Sequence, residues 1–326
     1  MKKFLFIILL IFINSCKKEN KTVNINPSIL SFNPYLEKAK KFKTENYLDS
    51  AFYYFNLAKN SFLEDNDSLG VGRSLVNMAI IQSDKGDYYG SIETSLEADR
   101  FIKYKKDINV QRTLAANYNN LGIASNYLKN NNDAFKFYLK AIKYAVDQNI
   151  YVYYNNIGDN LITQKKYKEA ERYLKKAILV KDSNNLSKAI NNLAKAKYLA
   201  NQNYDPLPKL YQALEIRKKI NDGSGQNSSF ETLSTYYLDK DKTLSLNFAK
   251  MMLKAATKNK SPDDQILALQ RIISLEPKTY LENFQNLNLI RDNLEIQRNQ
   301  DKNQFAVVRY DLEGERAKNE TIKKEK

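Results

Sequence analysis

Tyr118, Asn119, Asn120, Leu121, Gly122 and then Tyr154, Asn155, Asn156, Ile157, Gly158 are two copies of one short pattern, 36 residues apart (158 − 122). After a polar gap the first copy continues with Ala134, Tyr138 and Ala141, and the second with Ala170, Leu174 and Ala177, at the same offset. Self-similarity at a fixed period of this size marks a solenoid, in which each unit buries its apolar face on its neighbours. Bulky residues recur at three- and four-residue spacing on either side of a turn-rich break, which predicts two helices per copy. Gly122 and Gly158 in the first helix, and the alanines in the second, fall where two backbones must come close.

The pattern extends both ways. Ile190, Asn191, Asn192, Leu193, Ala194 stand a further 36 residues on (194 − 158), with Leu210 and Ala213 in the second helix. Pro206 falls on an alanine position there and Pro208 follows; both suit a first helical turn, so the second helix has a displaced start. Upstream lie Leu75, Asn77, Met78 and Ala79, the turn Lys85, Gly86, Asp87, Tyr88, and then Ser91, Ser95 and Ala98. Ala79 precedes Gly122 by 43 residues (122 − 79), which predicts an insertion around 105–110. A weaker unit places Ala39 in the glycine slot and Ala51, Phe55 and Ala58 in its second helix. Downstream, 222–229 is rich in Gly, Ser and Asn and reads as a loop. A sixth unit follows with Phe230, Leu233, Ser234, Tyr237, Ser245, Ala249 and Met252. Ser261 and Pro262 read as a helix start, 266–275 as an apolar helix, and Pro277 as its end. From 278 the pattern becomes one long helix with apolar Leu287, Ile290, Leu294, Phe305, Val308 and Leu312 and a charged end.

These residues resemble the tetratricopeptide repeat, a helix-turn-helix unit of about 34 residues whose signature runs aromatic, Leu-Gly, aromatic, then spaced small and aromatic residues. Tyr stands here for the usual Trp, and Ser125 and Leu161 replace a second aromatic. The resemblance implies an all-α, right-handed superhelical solenoid of about six repeats, whose first helices line a concave face that binds a protein or peptide.

The amino-terminal end reads differently. Met1, Lys2 and Lys3 precede an apolar run over 4–13 that is too short to span a bilayer, and Cys16 follows Ser15. This resembles the signal of bacterial lipoproteins and implies cleavage before Cys16 and acylation of its thiol and new amino terminus. Stable anchoring by acyl chains needs more than one chain. The expected organisation is a signal peptide over 1–15, a tether over 16–33, repeats over 34–277 and a long helix with a charged end over 278–326. It implies an exported protein of the cell envelope, anchored to a membrane on the periplasmic or outer-surface side. The whole is similar to tetratricopeptide lipoproteins of Bacteroidetes type, while Phe305 to Tyr310 and the charged run beyond resemble the ectodomain end of repeat-bearing sensor histidine kinases. The second likeness leaves open a sensory ectodomain whose kinase or transcription module is separate or missing.

Composition narrows the chemistry. The chain has no His and one Cys, which excludes imidazole catalysis, His-ligated metals and an internal disulfide. Gly-rich phosphate loops, paired cysteines and metal-ligand spacings are missing, so a non-catalytic protein without cofactor or metal is expected. The net charge of +15 invites nucleic acid, but an export signal and the lack of a reading motif argue against it.

The candidate site is the concave face, with Asn77, Asn119, Asn120, Asn155, Asn156, Asn191, Asn192, Tyr127 and Tyr198 as partner-binding residues. Equivalent positions in successive repeats form a ladder, and amides that both donate and accept can hold a peptide backbone without reading its sequence. Asn at these positions also serves to bridge neighbouring helices or to face water. Arg73, Ile80, Asn126, Asp159, Lys188 and Lys195 fall on the same face by spacing. Lys188 and Lys195 share one repeat and Asp159 lies in the one before, which disfavours a clamp for an acidic carboxyl terminus. Tyr53, Tyr54, Tyr88, Tyr118, Tyr138 and Tyr154 are expected to pack between helices.

Overall fold

The computed structural model describes residues 32–102 and 107–325, with side chains through residue 310. The signal, Cys16 and the tether up to residue 31 lie outside the described residues, as do residues 105 and 106 of the expected insertion, while Asp107 caps the helix that begins at Ile108. The described part is all-α. Six helix pairs follow in order: α1 Pro34–Thr44 with α2 Leu48–Glu64, α3 Ser68–Asp84 with α4 Tyr88–Phe101, α5 Ile108–Tyr127 with α6 Asn131–Tyr144, α7 Asn149–Thr163 with α8 Tyr167–Ala177, α9 Ser183–Ala200 with α10 Leu207–Lys219, and α11 Gly223–Tyr237 with α12 Lys242–Lys258. Then come α13 Pro262–Leu275, a single 3-10 turn Pro277–Thr279, and the 46-residue α14 Tyr280–Glu325.

Each pair closes as the small-residue pattern requires. Ala134, Tyr138 and Ala141 of α6, and Ala170, Leu174 and Ala177 of α8, are buried. A Cβ on Gly122 would run into the Tyr138 ring, and one on Gly158 into the end of Leu174. The second helix's largest inward side chain therefore lies on the first helix's bare backbone.

Most turns share one design. The residue after the helix C-cap has positive φ at Asn46, Asn66, Gly86, Lys129, Lys165, Asn221 and Lys260. The next amide then reaches back to a carbonyl five residues earlier, as in Asp67 N–H to the Phe62 oxygen at 2.9 Å and Asp222 N–H to the Arg217 oxygen at 2.9 Å. Such a left-handed closure satisfies carbonyls that the helix end leaves free. Three of these turns run straight into an Asp cap, with Asp67, Asp87 and Asp222 accepting from the amides of Gly70, Gly90 and Gly225. At Gly70, Gly90 and Gly225 a Cβ would collide with the capping carboxylate itself.

One expectation fails here. The stretch 222–229 is the start of α11 and not a loop. Asn221 makes the turn at φ 54°, Asp222 caps the helix, and Gly223 and Gly225 are small because Asn259, Asp222 and the Arg217 stem press on them.

Successive first helices, α3, α5, α7, α9, α11 and α13, touch one another directly, whereas each second helix packs mainly on the first helices flanking it. In a curved stack the layer whose members are closest is the inner one, so the first helices line the concave side. The apolar interior is a succession of three clusters along the stack, centred on Phe55 and Leu75, on Ile157 and Leu174, and on Leu210 and Leu233. The fold is the all-α solenoid that the 36-residue period predicts. Helix α14 lies along α13 and then reaches α2, so the last unit contacts the first.

Candidate functional site

The paired asparagines of the repeats join one first helix to the next. Asn156 on α7 donates its amide to Asn119 on α5 at 2.9 Å, and Asn192 on α9 donates to Asn155 on α7 at 3.1 Å. The second Asn of one repeat thus holds the first Asn of the repeat before. Asn160 donates to Asn126 at 2.8 Å and accepts from Gln164 at 2.7 Å. Lys43 on α1 donates to Asn77 at 2.9 Å, and Asn77 donates to the Arg73 carbonyl at 2.9 Å. Toward the other end, Lys195 pairs with Glu231 at 3.9 Å and Arg271 donates to Thr235 at 2.9 Å.

Burial divides the expected contact residues. Asn77, Asn119, Asn155, Asn156 and Asn192 are half-buried, so each keeps an edge toward the groove after spending one bond on its neighbour. An amide carries two donors and an acceptor with two lone pairs, which leaves capacity for a partner. Asn120 and Asn191 do not line the groove. Asn120 is 2% exposed and donates to Ser91 and Ser95 of α4, while Asn191, also 2% exposed, donates to Thr232 of α11 at 3.2 Å. In the pairs Asn119–Asn120 and Asn191–Asn192 a 100° step per residue carries one side chain to the groove edge and its neighbour into the joint between repeats, whereas Asn155 and Asn156 both stay half-buried and both take part in the ladder.

The aromatic candidates sit at the two ends of this ladder. Tyr127 is 63% exposed and stacks on Tyr88 with centroids 4.6 Å apart and planes 6° from parallel. Burial pushes the Tyr88 hydroxyl up to about 12. Tyr198 meets Tyr236 edge-on at 5.0 Å, and the Lys240 ammonium lies over both rings. Tyr118 and Tyr138 are core residues, and Tyr54 stacks on Phe42, so those three do pack between helices. Tyr53 is 39% exposed and only edges Tyr54.

Electrostatically the face alternates. Asp159 is exposed to solvent, yet the surrounding groove pushes its carboxyl above the ordinary range, with Lys195 pulling it down and Glu231 adding to the rise. Burial pushes the Lys43 ammonium down, while nearby Asp84 offsets this, and burial pushes Asp84 up against the pull of Lys43. Acid and base follow each other along the groove, so no single-sign ligand is favoured. Among the described residues no group of three or more His, Cys, Asp or Glu is placed to hold a metal, and no helix is long and apolar enough to cross a membrane.

The joints between repeats also contain a buried cation that the repeat pattern does not single out. Arg217 of α10, 1% exposed, donates to Ser187 of α9 at 3.3 Å and to Ser229 of α11 at 2.6 Å. Burial lowers its guanidinium to about 10 against the pull of Asp222. It ties three helices together and faces no groove.

Comparison with known proteins fits this geometry. Residues 152–181 match the family model for the tetratricopeptide repeat. The apo form of RapI superposes with a TM-score of 0.60 at 16% identity, covering 83% of this chain and 97% of that one. The Rap conjugation gene regulator of plasmid pLS20, in complex with the Phr* peptide, gives 0.61 at 14% identity over 80% of this chain and 73% of that one. A Rap protein complexed with Competence and Sporulation Factor gives 0.62 at 15% identity over 81% and 75%. At these identities the likeness is one of fold: the chain is an all-α helix-pair solenoid similar to tetratricopeptide-repeat and Rap proteins. No curated protein sequence matches it.

Proposed function

We propose that this chain is a non-catalytic interaction scaffold that takes an extended peptide segment of a protein along its concave face. The observation that supports this best is the row of half-buried amides, Asn119 with Asn156 and Asn155 with Asn192, which the fold holds in register along the inner helices. Fixed amides lose little side-chain freedom on binding and can take both the N–H and C=O groups of a backbone. The exposed Tyr127 face offers an apolar contact at one end and Tyr198 at the other. The Rap structures with Phr* peptide and with Competence and Sporulation Factor are the precedent for such a fold carrying such a ligand. As part of the same reading, the protein is exported and held at the cell envelope through acylated Cys16, with the residues up to Asn33 as its tether.

The test is a random-peptide display selection on the full chain, repeated on the variant Asn156→Leu with Tyr127→Ala. Peptides enriched by the wild type and released by the variant support groove binding. Enrichment that ignores the variant, or none at all, overturns it. Metabolic labelling with a palmitate analogue in a lipoprotein-competent bacterium tests the anchor: incorporation abolished by Cys16→Ser is the expected result, and unlabelled chain refutes it.

A further inference from the structure

Helix α14 is held at two places and bare between them. Near its start Leu287 is buried, and the next buried side chains are Asp301 and Phe305. None of the residues from 288 to 300 is buried, and Leu289 and Ile296 are more than half exposed. A helix that is mostly polar all round and crosses open space needs anchors at its ends. The far anchor lies on the first two repeats. The Phe305 ring packs on Phe52 of α2 at 4.3 Å, and the fully buried Asn56 of α2 donates to the Val308 carbonyl at 3.1 Å. Asp301 pairs with Lys85 at 3.2 Å, and Lys85 is shared with Asp49 at the same distance. Burial alone would lower the Lys85 ammonium, but its bonds and charge contacts with Asp301 and Asp49 outweigh that and raise it. Arg309 reaches Glu97 at 3.2 Å, Glu93 at 3.6 Å and Thr94 at 3.3 Å on α4. Arg298 pairs with Asp263 at 2.7 Å and lies over Gly86, whose missing side chain and φ of 83° make room for it.

Arg298, Asp301, Phe305 and Arg309 are spaced by three, four and four residues and so share one helix face. Their receptor, formed by α2, α4 and the Lys85–Gly86 turn, is one aromatic seat ringed by charges. We propose that repeats 1 and 2 form a helix-binding site occupied in cis by residues 298–309, so that α14 is a clasp that fastens the last unit to the first and opens without unfolding the repeats. The clasp joins the apolar cluster of the first repeats only through Phe305 and the partly buried Val308 and otherwise rests on ion pairs, where the joints between repeats are built of many buried apolar side chains. Elements with few buried contacts open at lower free energy than the core. The charge of Arg298 lowers both hydroxyls of the Tyr88–Tyr127 stack against the upward push of burial.

The experiment uses the full chain without a partner, so a missing peptide ligand and a missing clasp give different results. The sequence has no Trp, so Phe305→Trp places a single Trp at the contact, excited on the red edge where the 23 Tyr do not absorb. Its emission is expected to move red, and its quenching by acrylamide to rise, between about 0.05 and about 0.5 M salt, because charge pairs are screened over this range. Arg309→Glu is expected to produce the same shift at low salt, and Glu97→Arg added to it to reverse most of it. Hydrogen exchange on the otherwise wild-type chain is the second reading. Phe305→Ala is expected to speed exchange over 298–309 roughly tenfold or more while leaving α5 to α8 unchanged. Emission insensitive to salt and to Arg309→Glu, or exchange in α5 to α8 rising together with that of α14, overturns the proposal.

Discussion

Gly122→Ala is the sharpest test of why the units pair as they do. In an ordinary helix interior this exchange stabilises by about 1 kcal/mol, because Gly loses the most backbone freedom on folding. Here the new methyl would enter the Tyr138 ring, which is only 2% exposed and hemmed in by α5 and its neighbours. Forcing an extra carbon into a packed site costs about 1–3 kcal/mol, and a rigid buried ring puts the cost at the upper end. The net expectation is a loss of about 1–2 kcal/mol. Tyr138→Ala alone should cost roughly 3–5 kcal/mol, through the cavity it leaves. In that background Gly122→Ala meets no ring and should become stabilising by about 1 kcal/mol, a coupling of roughly 2–3 kcal/mol between the two positions. Urea melts followed by circular dichroism give the energies, and hydrogen exchange in α5 and α6 confirms where the loss falls, since a solenoid need not unfold as one unit. Gly122→Ala that is neutral or stabilising in the wild-type background would refute the close-approach argument for this residue and for Gly158 with it.

Other expectations follow from the joints between repeats. Arg217→Ala removes the buried guanidinium together with its bonds to Ser187 and Ser229 and leaves a cavity, and should cost roughly 3 kcal/mol or more, while Arg217→Met, which keeps the stem's packing, should cost less; thermal melts of both variants decide. Asn160→Ala strips a partner from both Asn126 and Gln164 and should cost about 1–3 kcal/mol, whereas Asn156→Ala, at a half-buried bond, should cost about 1 kcal/mol or less. Equal losses would mean that burial does not set the worth of the ladder. Tyr88 and Tyr153 are pushed up to about 12 by burial, and Tyr118 and Tyr138 are raised as well. An acid whose folded value exceeds its unfolded one favours the fold below the unfolded value, near 10, and loses that contribution as pH rises toward the folded value. Stability should be flat in these groups below about pH 9 and fall above about pH 10, with ultraviolet titration showing a late-ionising set of tyrosines. Complete ionisation near pH 10 in the folded chain would contradict the burial argument.

What the sequence made legible, and what it hid, divides along one physical line. Small residues at fixed spacing report on backbone approach, and that is why the pairing of α5 with α6 and of α7 with α8 is readable from Gly122, Tyr138, Gly158 and Leu174. The turns are harder, because only Gly86 uses the residue that advertises a left-handed closure, while Asn, and even Lys129, Lys165 and Lys260, take the same conformation elsewhere. The stretch 222–229 misleads for the same reason. Its glycines answer to the Asp222 carboxylate and the Arg217 stem and not to a loop. The recurring signal is Asp followed three residues later by Gly, at 67 and 70, 87 and 90, 222 and 225, and it is visible in the amino-acid order itself. The asparagine ladder is half legible. A period of 36 places Asn119, Asn155 and Asn191 on one register, but the bonds run at 37, from Asn119 to Asn156 and from Asn155 to Asn192, because each joins the second Asn of a repeat to the first of its predecessor. That offset decides which amides keep a free edge in the groove. It also makes partner binding and repeat spacing the same degree of freedom: a peptide that draws on Asn119 and Asn156 together must respect the distance their mutual bond sets.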